Sequence, residues 1–147
     1  MPSSTAPDAA PTAPPHAAAG RAALLDAVRF DRDGLVACIA QQHDSGEVLM
    51  MAWMNRAALA ETLSTGRVCY WSRSRQALWR KGETSGQVQH LVDIRLDCDG
   101  DALLALVDQH GVACHTGRRN CFYRAIRDGA LAELTQPEAD PAALYGR

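Results

Sequence analysis

The stretch that decides the fold is LVACIAQQHDSGEVLMMAWMN, residues 35–55. It holds two apolar, β-compatible runs, at residues 35–43 and 48–54, and the turn-forming residues DSGE lie between them. Two such runs joined by a short turn sequence predict an antiparallel β-hairpin. We therefore expect the chain to build its core on a sheet that begins with this hairpin.

A short helix is expected directly after the hairpin. Asn55 is a preferred capping residue, Leu59 and Leu63 lie four positions apart on one face, and Gly66 is suited to the end of a helix over residues 56–65. Further strand-like segments follow at residues 68–72, 88–97, 102–107, 121–127 and 130–134. Because the chain has no βαβ unit and no internal repeat, the predicted fold class is α+β, with mostly antiparallel strands and few short helices.

Length and composition indicate one domain in a chain of 147 residues with a net charge of −2. Residues 1–20 are rich in Ala and Pro, have no Leu, Ile, Val or aromatic residue, and are predicted to be a disordered tail. The folded domain is expected over residues 21–135, with a C-terminal tail at 136–147. The longest uncharged apolar run, 48–54, is too short to span a membrane, and no export signal is recognisable. We expect a cytoplasmic protein whose five cysteines stay reduced.

The first cluster with chemical potential is Asp97-Cys98-Asp99-Gly100-Asp101. Three carboxylates at alternate positions suit a hard cation such as Mg²⁺, whereas the competing interpretation is a solvated hairpin turn. In the extended or bulged form, which we favour, the three aspartates share one face and Cys98 points away from them. Cys98 would then serve a different centre, one that a second chain could complete.

The second cluster is Cys114-His115-Thr116-Gly117-Arg118-Arg119-Asn120-Cys121. Together with Cys98, its two cysteines would give zinc three thiolates and leave one position for water, as in catalytic zinc sites. His110, His115 or Cys69 could instead complete a structural site. The alternative is that the cysteines are buried and free. His115 is the candidate for proton transfer, because histidine exchanges protons near neutral pH, although it could also be structural.

The third cluster is a basic segment, residues 67–81, that contains no acidic residue. Its basic residues are Arg67, Arg73, Arg75, Arg80 and Lys81, and Trp71 and Trp79 are interleaved with them. Guanidinium groups bind phosphate, an indole ring stacks on a purine, and Gly82, Thr84, Ser85 and Gly86 could present N–H groups and hydroxyls to a phosphate. The open alternatives are a single-stranded nucleic-acid platform and a solvated strand face above core tryptophans.

Five stretches in this order resemble the phosphoribosyl-AMP cyclohydrolase family, over residues 31–126. They are GEVLMMAWMN at 46–55, YWSRSR at 70–75, LWRKGETSG at 78–86, and the two segments that carry the aspartates and cysteines. The resemblance implies a hydrolase that opens the adenine ring of 1-(5-phosphoribosyl)-AMP at the N1–C6 bond, in the third step of histidine biosynthesis. It also implies that the enzyme requires zinc and magnesium.

The resemblance assigns the metal ligands as well. It implies that Asp97, Asp99 and Asp101 bind Mg²⁺, and that Cys98, Cys114 and Cys121 bind Zn²⁺. In the family, the first of these cysteines comes from the partner in a homodimer, so an intertwined homodimer with shared active sites is expected. One departure is Gln87, where many relatives have a histidine. If that histidine transfers a proton, the role must be dispensable here or fall to His90 or His115.

The substrate implied by the resemblance is a small phosphoribosyl nucleotide, so neither nucleic acid nor membrane is an expected partner. We expect it to contact Trp71, Arg73, Arg75, Arg80, Lys81, Thr84 and Ser85, with His115 moving a proton in catalysis. The alternative function is a zinc-stabilised nucleic-acid-binding module, which would use the same basic segment. Such a module would bind oligonucleotides with a steep salt dependence and would hold zinc with no open position.

Overall fold

The structure is a computed structural model that describes residues 18–145. In chain order its elements are α1 (Ala18–Ala27), β1 (Val36–Gln42), β2 (Val48–Met54), α2 (Arg56–Thr65), β3 (Cys69–Ser72), β4 (Ala77–Arg80), β5 (Gln89–Leu96), β6 (Ala102–Gln109), β7 (Arg124–Arg127), β8 (Ala130–Glu133) and α3 (Pro141–Tyr145). The predicted hairpin and the helix α2 are confirmed, whereas α1, β4 and α3 were not predicted. Most of the predicted tail over residues 1–20 lies outside the described residues, and α1 begins at Ala18 within it.

The strands form a curled, mixed sheet and a separate hairpin. The six-stranded sheet has the order β4-β3-β2-β1-β6-β5, and β7 pairs only with β8. All pairs in the large sheet are antiparallel except β1 with β6. The sheet curls until the residues before β3 meet β5, where the Val68 N–H donates to the Gln89 carbonyl at 3.0 Å. The α+β class and the mostly antiparallel strands are therefore confirmed.

The core lies on the face of this sheet that α2 covers. Alternate residues of β1 and β6 are buried there, and the leucines of α2, Leu59 and Leu63, pack against the same cluster with no exposed area. Asn55 caps α2 as expected, since its side chain accepts a hydrogen bond from the Ala58 N–H at 2.8 Å. Gly66 ends the helix in a left-handed conformation. Among the described residues, no helix is long and apolar enough to cross a bilayer.

Two cysteines belong to this core. Cys38 on β1 and Cys69 on β3 are fully buried, and burial raises the pKa of each thiol to about 12. A thiol with that pKa stays protonated at neutral pH and is a poor nucleophile. Both residues therefore act as small apolar side chains, as expected from the sequence.

Candidate active site

One cleft of about 640 Å³ brings together two segments that are distant in the sequence. Its lining residues are Ser72, Ser74, Arg75, Trp79, Lys81, Gly82, Glu83, Thr84, Ser85 and His115. Four of the predicted substrate-binding residues, Arg75, Lys81, Thr84 and Ser85, are among them, together with the predicted catalytic residue His115. The cleft thus combines cations, hydroxyls, an indole ring and an imidazole, which is a chemistry suited to a phosphorylated nucleotide.

The loop that carries Thr84 and Ser85 owes its shape to two glycines. Gly82 and Gly86 have φ angles of +87° and +79°, in the left-handed region that other residues rarely adopt. The Gly86 N–H donates to the Gly82 carbonyl at 2.8 Å, which closes the loop into a compact turn. Thr84 is exposed and Ser85 half-buried at its surface, so both hydroxyls are available to a ligand in the cleft.

Lys81 lies at the base of the cleft with only 2% of its surface exposed. Its ammonium donates to the Ala113 carbonyl at 2.8 Å. Burial lowers the pKa of Lys81, while the nearby Cys121 and Cys114 thiols act in the opposite direction. The residue therefore joins the basic segment directly to the cysteine loop, a link that the sequence did not reveal.

Cys114 and Cys121 are neighbours in space. Partial burial and, after it, the charge and hydrogen bond of Cys114 raise the pKa of Cys121 to about 12. Cys114 is itself buried, and its sulfur accepts a hydrogen bond from the Thr116 hydroxyl at 3.1 Å. Two adjacent sulfur atoms beside an open cleft are suited to a soft cation, which would stabilise the thiolate forms.

The acidic cluster adopts a tight turn, so the prediction of an extended or bulged strand is wrong. The Asp97 N–H donates to the Ala102 carbonyl at 3.0 Å, and the Gly100 N–H donates back to the Asp97 carbonyl at 3.1 Å. The Asp97 carboxylate also accepts the Asp101 N–H at 3.0 Å. A side chain that binds the backbone ahead of it favours a turn over an extended strand, and Gly100 supplies the required positive φ of +77°.

The turn crowds two of its carboxyl groups together. Desolvation opposes ionisation of Asp97, but donors from Asp101 and Ala102 outweigh it and lower the pKa of Asp97. The hydrogen bond to Asp97 and then its charge raise the pKa of Asp101. All three aspartates and Cys98 are exposed on this turn. Neighbouring carboxyl groups whose charges repel each other fit a divalent cation, which would offset that repulsion.

Cys98 does not come near the other two cysteines. The turn that carries Cys98 comes directly before Ala102, which pairs with Ala37 near the start of β1. The Cys121 N–H donates to the Leu49 carbonyl at 2.7 Å, and Leu49 lies on β2 beside the other end of β1. This places the Cys98 turn and the Cys121 backbone about 10 Å apart along the strands and about 10 Å apart across them. Within residues 18–145, no three Cys, His, Asp or Glu side chains are grouped to hold a metal ion.

Three predicted substrate-binding residues lie outside the cleft. Arg80 makes a two-pronged ion pair with Glu61, at 2.6 and 2.9 Å. Trp71 and Arg73 line a separate hollow of about 340 Å³, where the Arg73 guanidinium lies 5.0 Å from the centre of a Trp53 ring. Their roles toward the substrate stay predictions.

Gln87 and Arg119 support the site through contacts that the sequence did not indicate. The Gln87 side chain accepts a hydrogen bond from the Val112 N–H at 2.7 Å and so fixes the approach to Cys114. Arg119 binds the carbonyls of Gln109 and Gly111 and is therefore structural. These partners are distant in the sequence, so no local pattern predicts the contacts. Trp79 also lines the cleft, and its place in the basic segment was a signal that could have identified it as a substrate contact.

Comparison with known proteins gives a consistent result. The family model described as phosphoribosyl-AMP cyclohydrolase matches residues 50–123. The chain is 70% identical over 125 residues to the phosphoribosyl-AMP cyclohydrolase of Rhodospirillum centenum, covering 85% of this chain and 94% of the relative. It is 69% identical over 124 residues to that of Granulibacter bethesdensis, covering 84% and 97%. It is 68% identical over 118 residues to phosphoribosyl-AMP cyclohydrolase 2 of Pseudomonas fluorescens, covering 80% of each.

Proposed function

Because the chain belongs to the phosphoribosyl-AMP cyclohydrolase family, we propose that it hydrolyses the N1–C6 bond in the adenine ring of 1-(5-phosphoribosyl)-AMP. The proposal includes the place of this reaction in histidine biosynthesis and a cytoplasmic location. The observation that carries it is the single cleft in which Arg75, Lys81, Thr84 and Ser85 meet His115. A substrate with two phosphorylated ribose groups needs cations and donors on both sides of a ring-sized space.

The chain's own groups have clear tasks in this reaction. Water adds to C6 and the C6–N1 bond breaks, which leaves a carboxamide on the imidazole and an amidine at N1. One proton must leave the water and another must reach N1. The Arg75 guanidinium and the hydroxyls of Thr84 and Ser85 would bind phosphate, and the Trp79 ring, which lines the same cleft, would contact the purine.

Zinc fits the paired thiols of Cys114 and Cys121. Two thiolates do not complete a site, so we place Cys98 of a second copy as the third ligand. When bound, zinc supplies the Lewis acidity that makes water a nucleophile near neutral pH. Lys81 supports this arrangement, because its buried ammonium offsets the negative charge of the two sulfur atoms.

We place magnesium at the acidic turn of Asp97, Asp99 and Asp101, which also carries Cys98. Within one chain the described side chains do not form a three-ligand site, so the partner or the substrate would supply further oxygen ligands. If the partner's Cys98 reaches the paired thiols, the partner's aspartates arrive at the same cleft. The divalent cation would then lie near the phosphate groups of the substrate, where oxygen-rich magnesium sites commonly act. In such a dimer, groups that lie near opposite ends of β1 within one chain would serve one reaction.

An intertwined homodimer is supported by the outer face of the sheet. Ile39 on β1, Met51 on β2 and Val92 on β5 are 37%, 44% and 44% exposed. Ile39 and Met51 are direct partners across the β1–β2 pair, so their side chains are adjacent. Apolar residues on the outward side of a sheet favour contact with another protein surface. A second copy of the chain is the occupant that would also deliver Cys98.

His115 is proposed to move the proton, on the basis of its exposed position in the cleft beside Cys114. His115→Ala is expected to lower kcat about 100-fold with zinc content unchanged, because a positioned acid–base group contributes about that factor. The measurements are steady-state kinetics and metal analysis of the same preparation. A fully active, zinc-loaded His115→Ala enzyme would remove the assignment.

Arg75 and Arg80 are a matched pair for testing phosphate binding. Arg75→Gln is expected to raise KM about tenfold, since losing a charge-assisted hydrogen bond costs at least about 1.4 kcal/mol. Arg80→Gln should change KM far less, because its guanidinium is occupied by Glu61. A surface ion pair of this kind contributes little to folding, so both variants should stay folded. Equal effects of the two substitutions on KM would contradict the assignment of phosphate binding to Arg75 rather than to Arg80.

The function itself is tested with purified protein and 1-(5-phosphoribosyl)-AMP. The expected result is a change in purine absorbance and a product that has gained one water molecule, with activity lost after metal chelation and restored by zinc and magnesium. The competing nucleic-acid-binding module predicts no turnover but oligonucleotide binding that weakens steeply with salt. Metal-loaded protein without turnover would overturn the proposal.

A further inference from the structure

The cysteine loop has a defined shape within the chain. The Cys114 N–H donates to the Arg118 carbonyl at 3.1 Å, and the Gly117 N–H donates to the Cys114 carbonyl at 3.0 Å. Cys114 is therefore at the base of the loop, and Gly117 closes a turn directly against it. Cys121 is fixed separately, through its N–H bond to the Leu49 carbonyl at 2.7 Å. The separation of the two thiols thus depends on what holds Cys114 and Gly117.

Gly117 is held by residues 138 and 139, which lie in the stretch 136–147 that the sequence predicted to be a tail. The Gly117 carbonyl accepts hydrogen bonds from the N–H groups of Glu138 at 2.8 Å and Ala139 at 3.1 Å. The contact is so close that a Cβ atom on Gly117 would overlap the Ala139 carbonyl oxygen. We call residues 133–139 the strap.

Arg118 connects the strap to the base of the loop. Its guanidinium donates to the Thr135 carbonyl at 3.0 Å and to the Glu133 carboxylate at 2.9 Å. It lies 3.9 Å from the centre of the Tyr123 ring, and its side chain is only 9% exposed. Because the Arg118 carbonyl also accepts the Cys114 N–H, one residue contacts both the strap and a thiol-bearing residue.

We propose that the strap fixes the separation of Cys114 and Cys121, and that Arg118 is the positioning residue through which it acts. The inference rests on the proposed zinc site but adds a part that the family match does not cover, since that match ends at residue 123. Groups that orient metal ligands typically change metal affinity by a factor of about 10 to 100 when they are replaced. The strap is a group of this kind, supplied by the C-terminal part of the chain.

The test is the rate at which the zinc-loaded protein releases zinc to a coloured chelator. Arg118→Gln is expected to release zinc at least about tenfold faster than the unmodified chain. Glu133→Gln should accelerate release less, because the amide keeps a hydrogen-bond acceptor for Arg118. Arg118→Lys should be intermediate, since it keeps the charge but loses the two-pronged geometry. The matched control is Arg124→Gln, whose guanidinium is 5.8 Å from the same Tyr123 ring.

Two outcomes decide the proposal. The proposal is overturned if folded Arg118→Gln and Glu133→Gln both release zinc at the rate of the unmodified chain. If Arg118→Gln does not fold, the release rate of Glu133→Gln alone decides. If the purified chain carries no zinc, the zinc assignment fails, but the strap is still tested by alkylation of Cys114 followed by peptide mass analysis. Faster alkylation of Cys114 in both variants than in Arg124→Gln supports the strap, and equal rates contradict it.

Discussion

Mixing inactive Cys98→Ser protein with inactive Cys114→Ser protein is expected to restore activity when protomers can exchange. In a twofold-symmetric dimer, each site would take Cys98 from one chain and Cys114 with Cys121 from the other. A hybrid dimer then has one site with both defects and one site with all three thiols. With equal amounts and random exchange, about one quarter of the original activity should return.

The same design contains its own control. Cys114 and Cys121 are adjacent within one chain. A mixture of Cys114→Ser with Cys121→Ser therefore leaves every site defective and should stay inactive. Exchange is shown by mass analysis of differently tagged protomers, and zinc content should follow activity. Proven exchange without recovery in the first mixture, or recovery in the second, would mean that the three thiols are not divided between chains in this way.

The reason for expecting shared sites changed between sequence and structure. In an extended strand Cys98 and the aspartates would lie on opposite faces, but the observed turn does not separate them in this way. The structural reason is the strand order, in which β6 runs parallel to β1 and leaves Cys98 at the far end from Leu49. Strand order depends on long-range pairing, which no local pattern in this sequence encodes.

Local signals were sufficient where the structure is local. The β1–β2 hairpin and α2 were predicted because turn residues, the Asn55 cap and Gly66 act within a few positions. β4 was missed because residues 77–80 lie inside a segment interpreted through its charges. The start of α1 was missed because its first residues continue an Ala-rich stretch, and only packing in the folded chain stabilises such a helix.

The candidate site likewise has residues that local sequence identifies and contacts that only the fold determines. His115 and the residues of the 81–86 loop were found from their types and their proximity in sequence. The ion pair between Arg80 and Glu61 could not be predicted, because it links β4 to α2. Residue type alone therefore identified which groups could bind phosphate, whereas the fold decided which of them are available.

Gly82→Ala is expected to lower kcat/KM at least about 100-fold, because displacements of about 1 Å at a catalytic site can cost that much. A Cβ atom at Gly82 would lie 2.5 Å from the Val88 nitrogen and 2.6 Å from its Cα. These are backbone atoms directly before β5, and the Val88 carbonyl accepts the His110 N–H at 2.9 Å, so Val88 cannot easily give way. The loop must open instead, which moves Lys81 and Thr84 away from the cleft.

Gly86→Ala is the control that separates the effect of the close contact at Gly82 from the cost of a side chain in the left-handed backbone conformation. Gly82 and Gly86 have similar φ angles, +87° and +79°, but nothing lies within 4 Å of a Cβ atom at Gly86. Both variants therefore carry the left-handed penalty of about 1 kcal/mol, which amounts to less than a tenfold effect if it falls entirely on binding. Kinetics and hydrogen exchange of residues 81–88 should show a large, local change in Gly82→Ala only. Equal losses in the two variants would mean that backbone strain, rather than the Val88 contact, shapes the cleft.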